Sequence, residues 1–225
     1  MTDLSDDLDL AKRDRIPEVL LELLDAFPRD RWEAHPNFAG LVQFWLERHL
    51  MFRKLGSLLR EDAEAAVDGR IDPAQYKPRL ARYGGMLVSQ LHGHHQIEDH
   101  HYFPVLSGLE PTLLRGFGIL DKDHHAMDGL LNRFTESANA VLQDTGESGD
   151  FHSELLSFQH MLNRHLEDEE DLIVPVILKH GPEGLGDMIT DSNGAIDVEV
   201  LSPAVGAEIR GVDLSEPIDD DIFAG

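Results

Sequence analysis

Four stretches, roughly residues 37–66, 73–107, 111–143 and 150–180, repeat their apolar side chains with the period of an amphipathic helix. Short breaks rich in Gly, Asp, Pro or Ser separate them. Helices of this length joined by so little chain bury their stripes against antiparallel neighbours, which predicts an all-α, up-down-up-down four-helix bundle over 37–180. Asn37 after Pro36 and Asp72 before Pro73 read as helix starts, and Thr145 to Gly149 as a break. Residues 1–36 form an acidic lead and a short amphipathic stretch (Ile16, Val19, Leu20, Leu23, Leu24, Phe27) closed by Pro28, read as an outlying helix. From 181 to 225 the character changes, and the segment around AIDVEVLSPAVGAEIRGVDLSEP predicts two short strands about a turn. That tail carries eleven acids, one Arg and no histidine, and so short a piece cannot bury a core of its own.

The helical stretches carry a repeated polar pattern. His94 and Glu98 stand four residues apart in the second stretch, as do His165 and Glu169 in the fourth, and each His is followed ten residues later by Pro-Val, at Pro104 and Pro175. Spacing of i, i+4 puts both side chains of a motif on one helix face, about a turn apart. Each motif has a partner histidine on the preceding helix: His49 lies 45 residues before His94, and His124 lies 41 before His165. His49 falls on the stripe Leu41, Trp45, Phe52 and Leu55, and His124 on Phe117, Leu120, Met127 and Leu131, so both point inward. Two glutamates in an apolar bundle would each cost several kcal/mol of desolvation unless countercharged, and two divalent cations supply that charge. His49, His94, Glu98, His124, His165 and Glu169 are therefore the expected metal ligands.

The chemistry of the metal follows from the donors. The chain has no cysteine, which excludes thiolate zinc sites, ordinary iron–sulfur clusters and disulfides and leaves nitrogen and oxygen ligands. Four imidazoles and two carboxylates are too few and too mixed for two calcium ions, and bridging carboxylates suit iron first and manganese second. The 43 Asp and Glu against 19 Lys and Arg give a net charge of −24, which argues against nucleic acid and anionic membrane partners. No apolar run approaches a membrane span and the N-terminus is acidic where a signal peptide is basic, so a cytoplasmic location is expected.

With these residues in place, the chain resembles the hemerythrin-like (HHE cation-binding) family, whose pattern is His, H-x-x-x-E, His, then H-x-x-x-E. All six residues match over about 32–180, and EDHHYFP resembles the tail after the family's first motif. The resemblance implies a di-iron centre bridged by both glutamates and by a solvent-derived oxo or hydroxo. It implies a small oxidant such as dioxygen, peroxide or nitric oxide as ligand, handled in sensing, delivery or detoxification. An iron-sensing module whose occupancy controls folding and partner contacts is the alternative; a protein partner is not identified. One departure stands out: oxygen-carrying hemerythrins have a fifth histidine four residues after the third-helix His, and here that position is Asp128. A carboxylate there would favour the oxidised metal pair and oppose reversible oxygen carriage. His125 is a rival to His124, and His101 a candidate outer partner. His35, His92, His95, His100, His152, His160 and His180 are expected at the surface. After about Ala195, LSPAVGAEIRGVDLSEP resembles the opening strands of taurine dioxygenase-like oxygenases. With no histidine after His180 this stretch cannot form their metal site, and it reads as a truncated boundary.

Overall fold

The protein, seen here as a computed structural model, is described over residues 8–185, with backbone alone at 197–202 and 206–210. The bundle consists of α2 (Leu41–Val67), α3 (Pro73–Ile97), α5 (Leu114–Leu142) and α6 (Ser148–Gly184), preceded by a five-residue α1 (Glu22–Ala26). α2 packs on α3 and α6, and α5 on α3 and α6, so the four helices close into a ring. The connections 68–72 and 143–147 are too short for anything but reversal, which gives the expected up-down order. Asp72 caps α3, its side chain accepting from the Ala74 N–H at 2.8 Å, with Pro73 in the first turn, where its missing N–H costs nothing.

Asn37 does not start α2. The helix begins four residues later because Gly40 takes a left-handed φ of +86°, and the Asn37 side chain instead donates to the Leu178 carbonyl at 2.8 Å, near the end of α6. Gly181 turns the chain there at φ +67°, where a Cβ would lie 2.8 Å from Asn37 Nδ2. Both the backbone conformation and the close approach require glycine.

The second predicted helix, 73–107, is not continuous. Glu98–Tyr102 forms a π-helical turn between α3 and α4 (Phe103–Leu109), closed by the Phe103 N–H donating to the Glu98 carbonyl. Pro104 gives the physical reason: it lacks an N–H for the carbonyl four residues back, and its ring crowds that turn. The extra residue re-phases the stripe, so Leu91, His94 and Glu98 before the turn and Phe103 and Leu106 after it are all buried.

The N-terminal segment is not outlying either. Short 3₁₀ turns at Glu18–Leu20 and Arg29–Arg31 flank α1, which packs on α6, and Ile16, Leu20 and Leu21 join the core. Arg13 is buried and its guanidinium pairs with Asp123 on α5 and with Asp168 on α6, Nε donating to Asp168 Oδ2 at 2.9 Å. Hydrophobic periodicity could not show this, because the anchor is a charge. In the tail, β1 (Asp197–Ser202) and β2 (Gly206–Arg210) pair antiparallel with Val198 opposite Ile209, in keeping with the two expected strands. The other residues of the dioxygenase-like stretch lie outside the described ones.

The apolar interior falls into two clusters. One holds Phe52, Leu91, Met127 and Leu162; the other holds Trp45, Phe103, Leu120 and Leu172. On each of α2, α5 and α6, and along α3–α4, the chain passes from one cluster to the other through the histidine and glutamate positions. A polar layer therefore divides the core.

Candidate metal centre

Every one of the six residues expected from the sequence reaches that layer. His49, His94, His124, His165, Glu98 and Glu169 are all buried, the last three without exposed surface. The helix stripes bring them there: on each helix the ligand position takes the next inward place after an apolar neighbour, Trp45 before His49, Leu91 before His94, Leu120 before His124 and Leu162 before His165. His125 is exposed, whereas His124 beside it is buried and faces the layer.

Each glutamate lies between two groups of imidazoles. Glu98 Oε1 is 3.1 Å from His94 Nε2, and its Oε2 is 3.6 Å from His124 Nε2. Glu169 Oε2 is 3.5 Å from His49 Nε2, while its Oε1 is 3.2 Å from His124 Nε2 and 3.1 Å from His165 Nε2. Donor atoms of His49, His94, Glu98 and Glu169 lie within 4.8 Å of one another, and a second group of the same tightness is His95, His124 and His165.

The second group corrects the expectation for His95. It is 4% exposed, its ring stacked on His124 at 4.0 Å and edge-on to His165 at 5.3 Å. The signal was present in the sequence: Leu91, His94, His95 and Glu98 stand at i, i+3, i+4 and i+7, the full width of an inward helix face. A rotation of about 100° from His94 does not remove a residue from a face that wide. Asp128 is corrected in the opposite direction. It is exposed on α5 with Asp121 and His125, while the buried side of that helix carries Asp123, Met127 and Leu130. Its carboxylate is not in the layer and so adds no charge beside the histidines and glutamates there. His101 is exposed and not an outer partner, and among the other histidines expected at the surface, His35, His152 and His180 are only partly exposed.

Three of the inward imidazoles have a carboxylate behind the ring. Glu170 Oε1 is 3.0 Å from His49 Nδ1, Asp99 Oδ1 is 2.7 Å from His124 Nδ1, and Asp123 Oδ2 is 3.5 Å from His165 Nδ1. Such partners fix the ring and turn its other nitrogen inward as a donor to a cation. Glu170 is in turn held by Arg53 and Arg29, both at 2.7 Å. Although burial pushes it up, the His49 and Arg53 contacts outweigh this and bring its carboxyl down to about 2. Sequence reasoning missed all of these carboxylates; their signal is only the acidic run beside each motif.

The electrostatics of the layer are divided: although burial opposes it, Glu169 and Asp123 push His165 up to about 9, and against burial His165 and His124 hold Glu169 well below the usual carboxylate range. Burial, then the neighbouring Glu169, push Glu98 well above the usual carboxylate range. Burial pushes His94 and His95 well below the usual imidazole range, and nearby imidazoles add to it. Both oxygens of Glu98, Oε2 of Glu169 and Nε2 of His95 and His165 are buried with no hydrogen-bond partner. Buried polar atoms are almost always paired, and an unpartnered cluster of nitrogens and carboxylate oxygens aimed at common points fits metal ions held by nitrogen and oxygen. Trp45 and Phe103 wall the layer, with ring centroids 5.7 Å from His49 and 5.4 Å from His124.

The comparisons with known proteins agree with the geometry. The family model described as the hemerythrin HHE cation binding domain matches residues 40–177, which span all four bundle helices and every residue of the layer. No curated protein and no solved structure gives a match. No described helix is long and apolar enough to cross a membrane. The buried histidine and glutamate layer could hold metal, and the chain belongs to the hemerythrin HHE cation-binding family.

Proposed function

We propose that the layer holds two iron ions, with His49, His94, Glu98, His124, His165 and Glu169 as ligands, and that the loaded protein binds or reduces a small oxidant such as dioxygen, peroxide or nitric oxide. The observation that carries this reading is the placement of both glutamates, each with one oxygen turned to each imidazole group. A single ion needs only one such group; two carboxylates spanning both are what a bridged pair requires. Bound iron would supply two electrons, an exchangeable position and a solvent-derived oxo or hydroxo bridge. The chain supplies imidazole nitrogens, three of the rings fixed from behind by carboxylates, and apolar walls at Trp45 and Phe103. A role in oxidant sensing, delivery or detoxification is consistent with this chemistry, with manganese as the second choice of metal. The test is elemental analysis and the optical spectrum of protein expressed with iron and never exposed to chelator, reduced and then mixed with each oxidant. Two irons per chain with an oxidant-dependent spectrum support the reading; one zinc, or no metal, refutes it.

A second reading, iron sensing through folding, is favoured by one observation. Arg13 ties the N-terminal segment to Asp123, the carboxylate behind His165, so metal occupancy and the seating of that segment share a residue. Under this reading, removing metal exposes the segment around Arg13 to protease, whereas under the first it stays protected.

A further inference from the structure

We infer that His95 is a further metal ligand, completing the position formed with His124 and His165 and making the two positions of the pair unequal. This rests on the proposed metal pair and assigns a residue that the repeated motif does not include. Three observations converge. His95 shares one donor group with His124 and His165, all three within 4.8 Å. Its Nε2 is buried with no hydrogen-bond partner, an arrangement that a purely structural core histidine rarely shows. The alternative source of another histidine ligand, the position four residues after His124, is Asp128, which is exposed.

Counting donors then separates the two positions. The first has His49 and His94 with one oxygen from each glutamate; the second has His95, His124 and His165 with one oxygen from each. Three imidazoles would hold one ion and two the other, so the two positions would differ in the number of nitrogens this chain supplies.

The experiment compares the unmodified chain with His95→Ala and His95→Phe, the second filling the ring's volume without a nitrogen. Metal per chain is measured across a chelator series, Mössbauer spectra are recorded on iron-57 protein, and His95→Ala is repeated with added imidazole. The unmodified chain is expected to hold two irons in two inequivalent environments of equal area. Loss of even an outer partner weakens metal binding about 10–100-fold, so both variants are expected to lose one iron at chelator concentrations at least 10-fold lower. Imidazole is expected to restore it in His95→Ala. If both variants keep two irons with unmodified affinity and spectra, His95 is not a ligand and the inference is overturned while the metal pair stands. If the unmodified chain holds no pair, the parent reading fails and takes this inference with it. Should His95→Ala fail to fold, His95→Phe decides: retention of two irons overturns the inference and loss of one supports it.

Discussion

Replacing Glu98 by Gln is expected to change stability in opposite directions with and without metal. The side chain is 0% exposed, neither oxygen has a hydrogen-bond partner, and Glu169 presses a second carboxylate on it. In metal-free protein this carboxyl stays buried by taking up a proton, which costs stability at pH 7, where the unfolded chain's carboxylate is ionised. Exchanging such groups for neutral ones of similar volume is often neutral or stabilising by about 1–4 kcal/mol. In loaded protein the same carboxylate would span both proposed positions. Metal at 1,000 times its Kd contributes about 4.1 kcal/mol per site, and losing a bridge diminishes this at both sites. For a chain of this size 1 kcal/mol moves Tm by about 2–4 °C. Thermal unfolding of both proteins, loaded and after chelation, forms the cycle. Glu98→Gln is expected to leave the chelated protein's Tm unchanged or raise it by several degrees, and to lower the loaded protein's by about 8 °C or more. An equal fall in both conditions would show that Glu98 holds the fold by packing alone, and would refute the reasoning from the cost of burying an ionisable carboxyl.

Other perturbations follow from the same geometry. Asp128→Ala is expected to leave metal content and spectrum unchanged, because residue 128 is exposed; a lost or shifted metal band on elemental and optical analysis would put it back in the site. Arg13→Ala leaves Asp123 buried without its cation, while Asp168 keeps Arg164 at 2.8 Å, and is expected to cost about 3–5 kcal/mol in urea unfolding. A loss under about 1 kcal/mol would show that water replaces the guanidinium. Gly116→Ala places a Cβ 2.8 Å and 2.9 Å from the Leu172 methyls and is expected to cost about 1–3 kcal/mol, read by the same assay; an unchanged midpoint would show that Leu172 swings aside freely.

The bundle was legible in the sequence because its signal is local and repeated: inward positions recur along each helix, and His49, His94, His124 and His165 occupy them in phase with Trp45, Leu91, Leu120 and Leu162. The six expected ligands converge for the same reason. The burial of His95 is not legible from His94 alone; it follows from Leu91, four residues before it on the same inward face. The exposure of Asp128 is not legible from its spacing to His124, because which flank of α5 faces the core is decided by α3 and α6. The π-helical turn at Glu98–Tyr102 had a local cause in Pro104, yet Pro175 lies within α6 with no such turn, so proline alone did not reveal it. Arg13 could not be read at all, since its partners lie 110 and 155 residues away.

The central claim is a pair of metal ions bridged by two glutamates, and the most direct measurement is metal stoichiometry with site variants. Protein expressed with iron and purified without chelator is expected to hold two irons per chain. Glu98→Ala and Glu169→Ala are each expected to lower the occupancy of both positions together, seen as parallel loss of two iron-57 Mössbauer signals. One zinc per chain, no metal, or loss of a single signal with the other untouched would contradict the account.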